Sequence, residues 1–196
     1  MPTITDADKN ALFLEAHTHY VWLDKPVSDE QLRELYELAK FPPTAANTNP
    51  MRIVFVKSPE AKARLIPTLS PSNVEKVRTS PVTAIVAYDT LFYEKLPKLM
   101  PYADFASGFR KAGPEAGAKT GIQGGTLGGA YLILAARSLG LDCGPMGGFD
   151  AAKVDAEFFA DGQYKSLFLL NIGYGDESKR FPRNPRLDFE EACRIE

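Results

Sequence analysis

Apolar residues recur along this chain with two different periods, and the periods divide it into helices and strands. Residues 6–16 place Leu12, Phe13 and Ala16 at helical spacing, with Asp6 as the expected N-cap. The stretch Ala16 to Trp22 runs toward Pro26 and reads as extended or turning. Ser28 followed by Gln31 is a capping box. It opens a helix through Lys40 with Leu32, Leu35, Tyr36 and Ala39 on one face, and Phe41-Pro42-Pro43 ends it. Ile53 to Val56 is a β-rich run expected as a central strand, a short helix follows Pro59 over 59–66, and Val82 to Tyr88 is a second strand. Residues 89–118 mix aromatics with Lys, Pro and Gly. They read as an excursion of short helices, a candidate lid. A long helix is expected over 119–140, with Leu127, Tyr131, Leu134 and Leu139 among its apolar positions. Gly140 to Gly148 reads as a turn-rich loop, 151–159 as a short helix, Leu167 to Tyr174 as a third strand and the tail after Gly175 as extended.

Helices and strands alternate irregularly, which points to an α+β layered fold over one domain, 1–196. A chain of 196 residues buries roughly two-thirds to three-quarters of its unfolded surface and needs no disulfide or metal staple. Its 23 basic and 25 acidic residues give a net charge of -2, which argues against a nucleic-acid partner. Cys143 and Cys193 stand alone, as expected for a reducing, cytoplasmic setting. The polar start Met1 to Asp6 has no signal-peptide pattern, and no apolar run is long enough for a membrane span.

Glycines 121, 124, 125 and 128 fall on one helical face. The pattern lacks the Lys-Ser/Thr of a phosphate loop and the leading strand of a dinucleotide fingerprint. Close helix packing and ligand contact both remain open for it, although each interior glycine costs about 1 kcal/mol against alanine. Gly144-Pro145-Met146-Gly147-Gly148 can bring backbone N–H groups close to a flat ligand, or serve as a tight connection. His17 and His19, at i and i+2, make a poor metal pair without nearby Cys or acidic ligands. Together with C-terminal arginines they suit a phosphate, or they are solvated. No Gly-x-Ser-x-Gly elbow supports a hydrolase.

Taken in order, several segments resemble the nitroreductase superfamily of FMN-dependent homodimeric reductases. They are Thr18-His19 with Trp22, Pro26 to Glu30, Pro43 to Asn47, Pro81 to Ala87, Gly144 to Asp150, Asn171 to Asp176 and Pro185-Arg186-Leu187. The Thr18-His19/Trp22 pair, the Pro-Met-Gly-Gly-Phe-Asp loop and the Gly-Tyr-Gly-Asp ending resemble its malonic semialdehyde reductase branch, which belongs to pyrimidine degradation. The resemblance implies a central, mostly antiparallel sheet flanked by helices, in an intertwined homodimer. It implies FMN as cofactor and NADPH or NADH as electron donor in a ping-pong reduction of a small molecule, with hydride passing through flavin N5 and no catalytic side chain assigned. His17, Thr18 and His19 stand where the family grips the FMN phosphate and ribityl chain with Arg-Ser-x-Arg, and Arg186 matches its C-terminal arginine. Pro43, Thr44, Ala45 and Asn47 match the loop laid against the partner's flavin. Asn73 matches an asparagine on the pyrimidine side of the ring, and Pro145, Met146, Gly147 and Gly148 match the loop facing N5 and O4. No metal site is implied. The glycine-rich helix is implied to lie in the dimer core.

Overall fold

A computed structural model describes residues 3–196; Met1 and Pro2, the first two residues of the polar start, lie outside the described residues. A four-stranded, fully antiparallel sheet forms the middle layer, in the order β1-β2-β4-β3, from β1 (Met51–Val56), β2 (Val82–Asp89), β3 (Asp142–Met146) and β4 (Tyr164–Gly173). The strand expected to be central, β1, sits at an edge and is only half-buried along most of its length. The Gly140–Gly148 segment is not a loop throughout: its middle is β3, and Pro145 is tolerated there because β3 is the other edge.

Helices cover both sheet faces. α2 (Asp29–Ala39) and α7 (Pro114–Ser138) pack on one, where Leu32, Leu35, Leu132 and Ala136 meet Val82, Ala84, Val86 and Ile172. α3 (Pro59–Leu65), α4 (Pro71–Thr79) and α8 (Ala151–Phe158) cover the other, where Leu65, Val77 and Val154 meet Ile85 and Leu169. β2 is buried over its whole length because both of its faces are covered, so its sequence shows an apolar run rather than an alternation. The sequence reading missed α4, which opens on Pro71 at its first turn.

The chain starts with α1 (Asp6–Lys9), continuing through a π-helical turn to Leu14. Its N-cap is Thr5, one residue before the expected Asp6, because Thr5 and Asp8 form a reciprocal capping box. Ser28 and Gln31 cap α2 in the expected way. Two short helices, α5 (Leu96–Leu99) and α6 (Phe105–Ala112), fill the excursion, and α7 starts earlier than expected, at Pro114. The tail is extended apart from a 3-10 turn at Glu177–Lys179 and the single-turn α9 (Phe189–Ala192). Among the described residues no helix is long and apolar enough to cross a membrane.

The α7 glycines pack against the sheet of their own chain. A Cβ on Gly125 would lie 2.7 Å from Leu167 Cδ1, and one on Gly128 2.7 Å from Met51 Sδ. A Cβ on Gly121 or Gly129 would collide with the rings of Tyr88 and Phe168. The sheet supplies the bulk and the helix supplies the holes, so the large residues Ile122, Leu127 and Tyr131 face outward instead of forming the helix's core stripe.

Candidate functional site

The site begins at α4. Asn73 is buried on this helix; its Nδ2 donates to the Gly148 carbonyl at 2.9 Å, and the Ser70 N–H donates to the same carbonyl at 3.0 Å. Any side chain at 148 would strike Asn73, since a Cβ there lies 2.6 Å from Nδ2. Gly147 is exposed, with nothing within 4 Å of a Cβ position, so its backbone faces open space. Lys76, one turn after Asn73, donates to Asn73 Oδ1 at 3.0 Å and lies 4.7 Å over the Tyr20 ring.

Lys76 also lines a cleft of about 900 Å³ with Phe13, His17, Thr18, Tyr20, Arg137, Phe181, Arg183 and Arg186 among its walls. Among the described residues no carboxylate lines it, although the chain as a whole carries net charge -2. Two segments far apart in sequence build this cationic wall. Residues 16–22 run beside β3 and β4 through bridges Thr18–Cys143 and Trp22–Gly175. The tail folds back over them: Arg183 donates to the carbonyls of Leu14 and Ala16, both at 2.7 Å, and Phe181 meets Tyr20 edge-on at 5.8 Å. Arg137 reaches from α7 to the Leu12 carbonyl at 2.9 Å. Desolvation first, then the guanidiniums of Arg180 and Arg183, hold the His17 imidazole below its ordinary pKa.

Of the residues expected at a site, His17, Thr18 and Arg186 line this cleft, with Asn73 and Gly148 held beside Lys76 and Gly147 next in the chain. Others go elsewhere. The His19 side chain is buried on the far side of its segment, 3.5 Å from both Asp142 Oδ1 and Glu177 Oε1, and its ring fits only because residue 175 is glycine. Alternation along an extended segment sends His17 and His19 to the same side in an ideal strand; the isolated single bridges on this segment do not impose that regularity. Met146 packs into the core with Val77 and Leu169, and Pro145 is exposed on the β3 edge. Pro43, Thr44, Ala45 and Asn47 stand apart from the cleft, near the α7 glycines: Thr44 lines a small crevice with Gly124 and Gly128, and Asn47 Nδ2 donates to the Leu99 carbonyl at 2.7 Å. Ala46, Asn47 and Asn49 there adopt positive φ of 49°, 53° and 41°. Sequence reasoning missed Lys76 and Tyr20. Lys76 had a usable signal, since it follows Asn73 at i+3 on one helix. Arg183 stood only among the C-terminal arginines that could meet a phosphate, because its neighbours are set by the path of the tail. Among the described residues no group of three or more His, Cys, Asp or Glu side chains could hold a metal.

This arrangement fits an elongated ligand with an anionic end and a flat polar end: cations at one side, exposed backbone and a buried amide at the other. Comparisons with known proteins agree with the fold that carries it. A protein of Ralstonia nicotianae provisionally named NADH dehydrogenase/NAD(P)H nitroreductase is 57% identical over 196 residues, covering 100% of both chains. One of the same provisional name from Rhodopseudomonas palustris is 56% identical over 98% of each. A nitroreductase structure in complex with FMN, from Exiguobacterium sibiricum, superposes with a TM-score of 0.86 at 22% identity, over 100% of this chain and 99% of that one. The enone reductase CLA-ER of gut-bacterial fatty acid saturation also gives 0.86, at 18% identity over 98% and 99%. The nitroreductase family profile matches residues 15–174, and with that match and those relatives the chain belongs to the nitroreductase family.

Proposed function

We propose that this chain is an FMN-dependent NAD(P)H oxidoreductase working as an intertwined homodimer. The observation that carries the reading is the carboxylate-free cationic cleft joined, through Lys76, to the Asn73–Gly148 cluster. His17, Thr18 and Arg186 hold the phosphate and ribityl end, with Arg183 replacing an N-terminal arginine; guanidinium forks suit phosphate oxygens. Asn73 and the N–H groups of Gly147 and Gly148 meet the polar edge of the ring, while Pro145 and Met146 shape the strand that delivers them. Lys76 places a cation where negative charge accumulates on reduction. When bound, FMN supplies the hydride chemistry, and the protein supplies position and field. His19 anchors its segment from behind.

A second copy accounts for what the single chain leaves open. β1 is an edge strand, and Tyr36, Leu38, Phe41, Ile122, Leu127 and Tyr131 are exposed apolar residues on the same side of the sheet. Pro43, Thr44, Ala45 and Asn47 then face the partner's flavin rather than their own. Both cysteines are free, which supports a cytoplasmic location.

For substrate we propose malonic semialdehyde, reduced to 3-hydroxypropanoate, from the Thr18-His19, Pro145–Asp150 and Gly173–Asp176 resemblance. A nitroaromatic, quinone or enone acceptor is the second reading, favoured by the nitroreductase names of the relatives and the enone reductase among the structures. The test is an anaerobic absorbance titration of protein loaded with FMN. NADPH or NADH should bleach the visible flavin band, and malonic semialdehyde should restore it faster than nitrofurazone or menadione. Restoration by the latter two alone moves the substrate to the second reading. A protein that takes up no FMN and oxidises no NAD(P)H overturns the flavoenzyme reading itself.

A further inference from the structure

Behind the candidate site lies a buried polar network that the function above leaves unused. Asn171, on β4, is 1% exposed. Its Oδ1 accepts from Thr83 Oγ1 at 2.6 Å. Its Nδ2 donates to the main-chain carbonyl of Lys76 at 3.0 Å and approaches Met146 Sδ at 3.8 Å. Ser80 Oγ lies 3.3 Å from Oδ1, but its single proton has a nearer acceptor in the Val77 carbonyl at 3.1 Å. Thr83 is therefore the nearest donor to Oδ1, while the Lys76 carbonyl, which can only accept, decides which way the amide points. With the amide reversed, Oδ1 would confront the Lys76 carbonyl, acceptor against acceptor.

We infer that Asn171 is a positioning residue for the candidate flavin site, held by Thr83 and acting through Lys76. The inference rests on the flavin reading above. Buried polar networks are poor sources of net stability, because apolar side chains of similar volume fill the same space without a desolvation cost. What this one provides is a defined position. It ties the C-terminal half of α4 to the middle of the sheet, while the Asn73–Gly148 bond ties the N-terminal half to the loop after β3. Between those two ties stands the Lys76 ammonium, set by Asn73 Oδ1 and the Tyr20 ring. Losing the first tie lets the cation drift from the place where it stabilises the reduced ring.

The test is a cycle of Thr83→Val, Lys76→Met and the double variant, read by FMN Kd and by the flavin midpoint potential of the loaded proteins. Thr83→Val should raise Kd roughly twofold to tenfold, the scale of one lost buried hydrogen bond, and make the potential more negative. Lys76→Met should move both further in the same direction. Thr83→Ser, which keeps the hydroxyl, should restore wild-type values and guards against a mere packing effect. In the Lys76→Met background Thr83→Val should add little. An undiminished Thr83→Val effect in that background overturns the inference, as does a Thr83→Val protein with lowered melting temperature but unchanged Kd and potential. Failure of the wild-type protein to take up FMN overturns the flavin reading and this inference with it, and is recognised before any variant is made.

Discussion

Two glycine-rich regions of this molecule use the same residue for opposite ends. On α7, glycine makes room for protein: Tyr88, Leu167, Phe168 and Met51 fill the space where side chains would be. At Gly147 none of the described residues fills it, and Gly148 yields its space to the Asn73 amide and the Ser70 side chain. From sequence the two stretches look alike, and each admitted both packing and ligand contact. The difference is what stands opposite, and that belongs to the sheet and to α4, not to the glycines. Glycine alone therefore signals close approach without saying of what.

Substitution at the two regions separates the uses. The largest effect is expected for Gly129→Val, which drives a branched side chain into Phe168 and Val86. Overpacking costs about 1–3 kcal/mol or more and outweighs the roughly 0.3 kcal/mol of helix propensity that valine gains over glycine. A melting temperature about 2–12 °C lower by calorimetry is the expected result; an unchanged one means the helix stands off the sheet. Gly148→Ala comes next. The new methyl displaces Asn73 Nδ2 and its bond to the 148 carbonyl, a loss of about 1–2 kcal/mol of stability accompanied by weaker FMN uptake. For Gly147→Ala, stability should stay within about 0.5 kcal/mol while FMN affinity falls. A stable variant with full affinity removes this loop from the site. Arg186→Ala should likewise weaken FMN retention without a change in melting temperature, since Arg186 is exposed and, among the described residues, bonds only to carbonyls of Asn184 and Pro185.

The smallest effect concerns β3, which leads into the loop. Burial pushes the Cys143 thiol up to about 12, whereas Cys193 is exposed. At pH 8 a disulfide reagent should titrate one thiol per native chain and two after denaturation. Two in the native state would mean that β3 opens. The sign of the linkage follows: Cys143 binds its proton more tightly when folded, so its contribution to stability is full below about pH 9 and is lost as pH rises toward 12.

Much of the local structure was legible because its causes are local. Ser28 and Gln31 announce α2, Pro59 opens α3, and the apolar run Val82–Tyr88 marks a strand buried on both faces. β3 was misread as a loop because Gly144, Pro145 and Gly147 are loop residues by propensity; its pairing with β4 overrides that preference. α4 escaped notice because its polar, short sequence has a weak apolar stripe, with only Asn73 and Val77 buried. At the site, His17, Thr18, Asn73, Gly148 and Arg186 were found through resemblance. Lys76 was not, since its part in the cleft depends on a helix that was missed; Arg183 stood only among the C-terminal arginines, since no periodicity records the course of the tail.

By itself the sequence determined the starts of α2 and α3, the apolar strands and the family to which their order belongs, since capping, propensity and segment order are written in neighbouring residues. Only the tertiary structure decided that the α7 glycines receive side chains of the sheet, that His19 turns inward to Asp142 and Glu177, and that cations from α4, α7 and the tail converge on one carboxylate-free cleft. Those outcomes depend on residues brought together from distant parts of the chain, as Gly129 and Phe168 or Arg183 and Leu14 are. Close packing, burial and electrostatic fields depend on distance in space, which local sequence pattern does not encode.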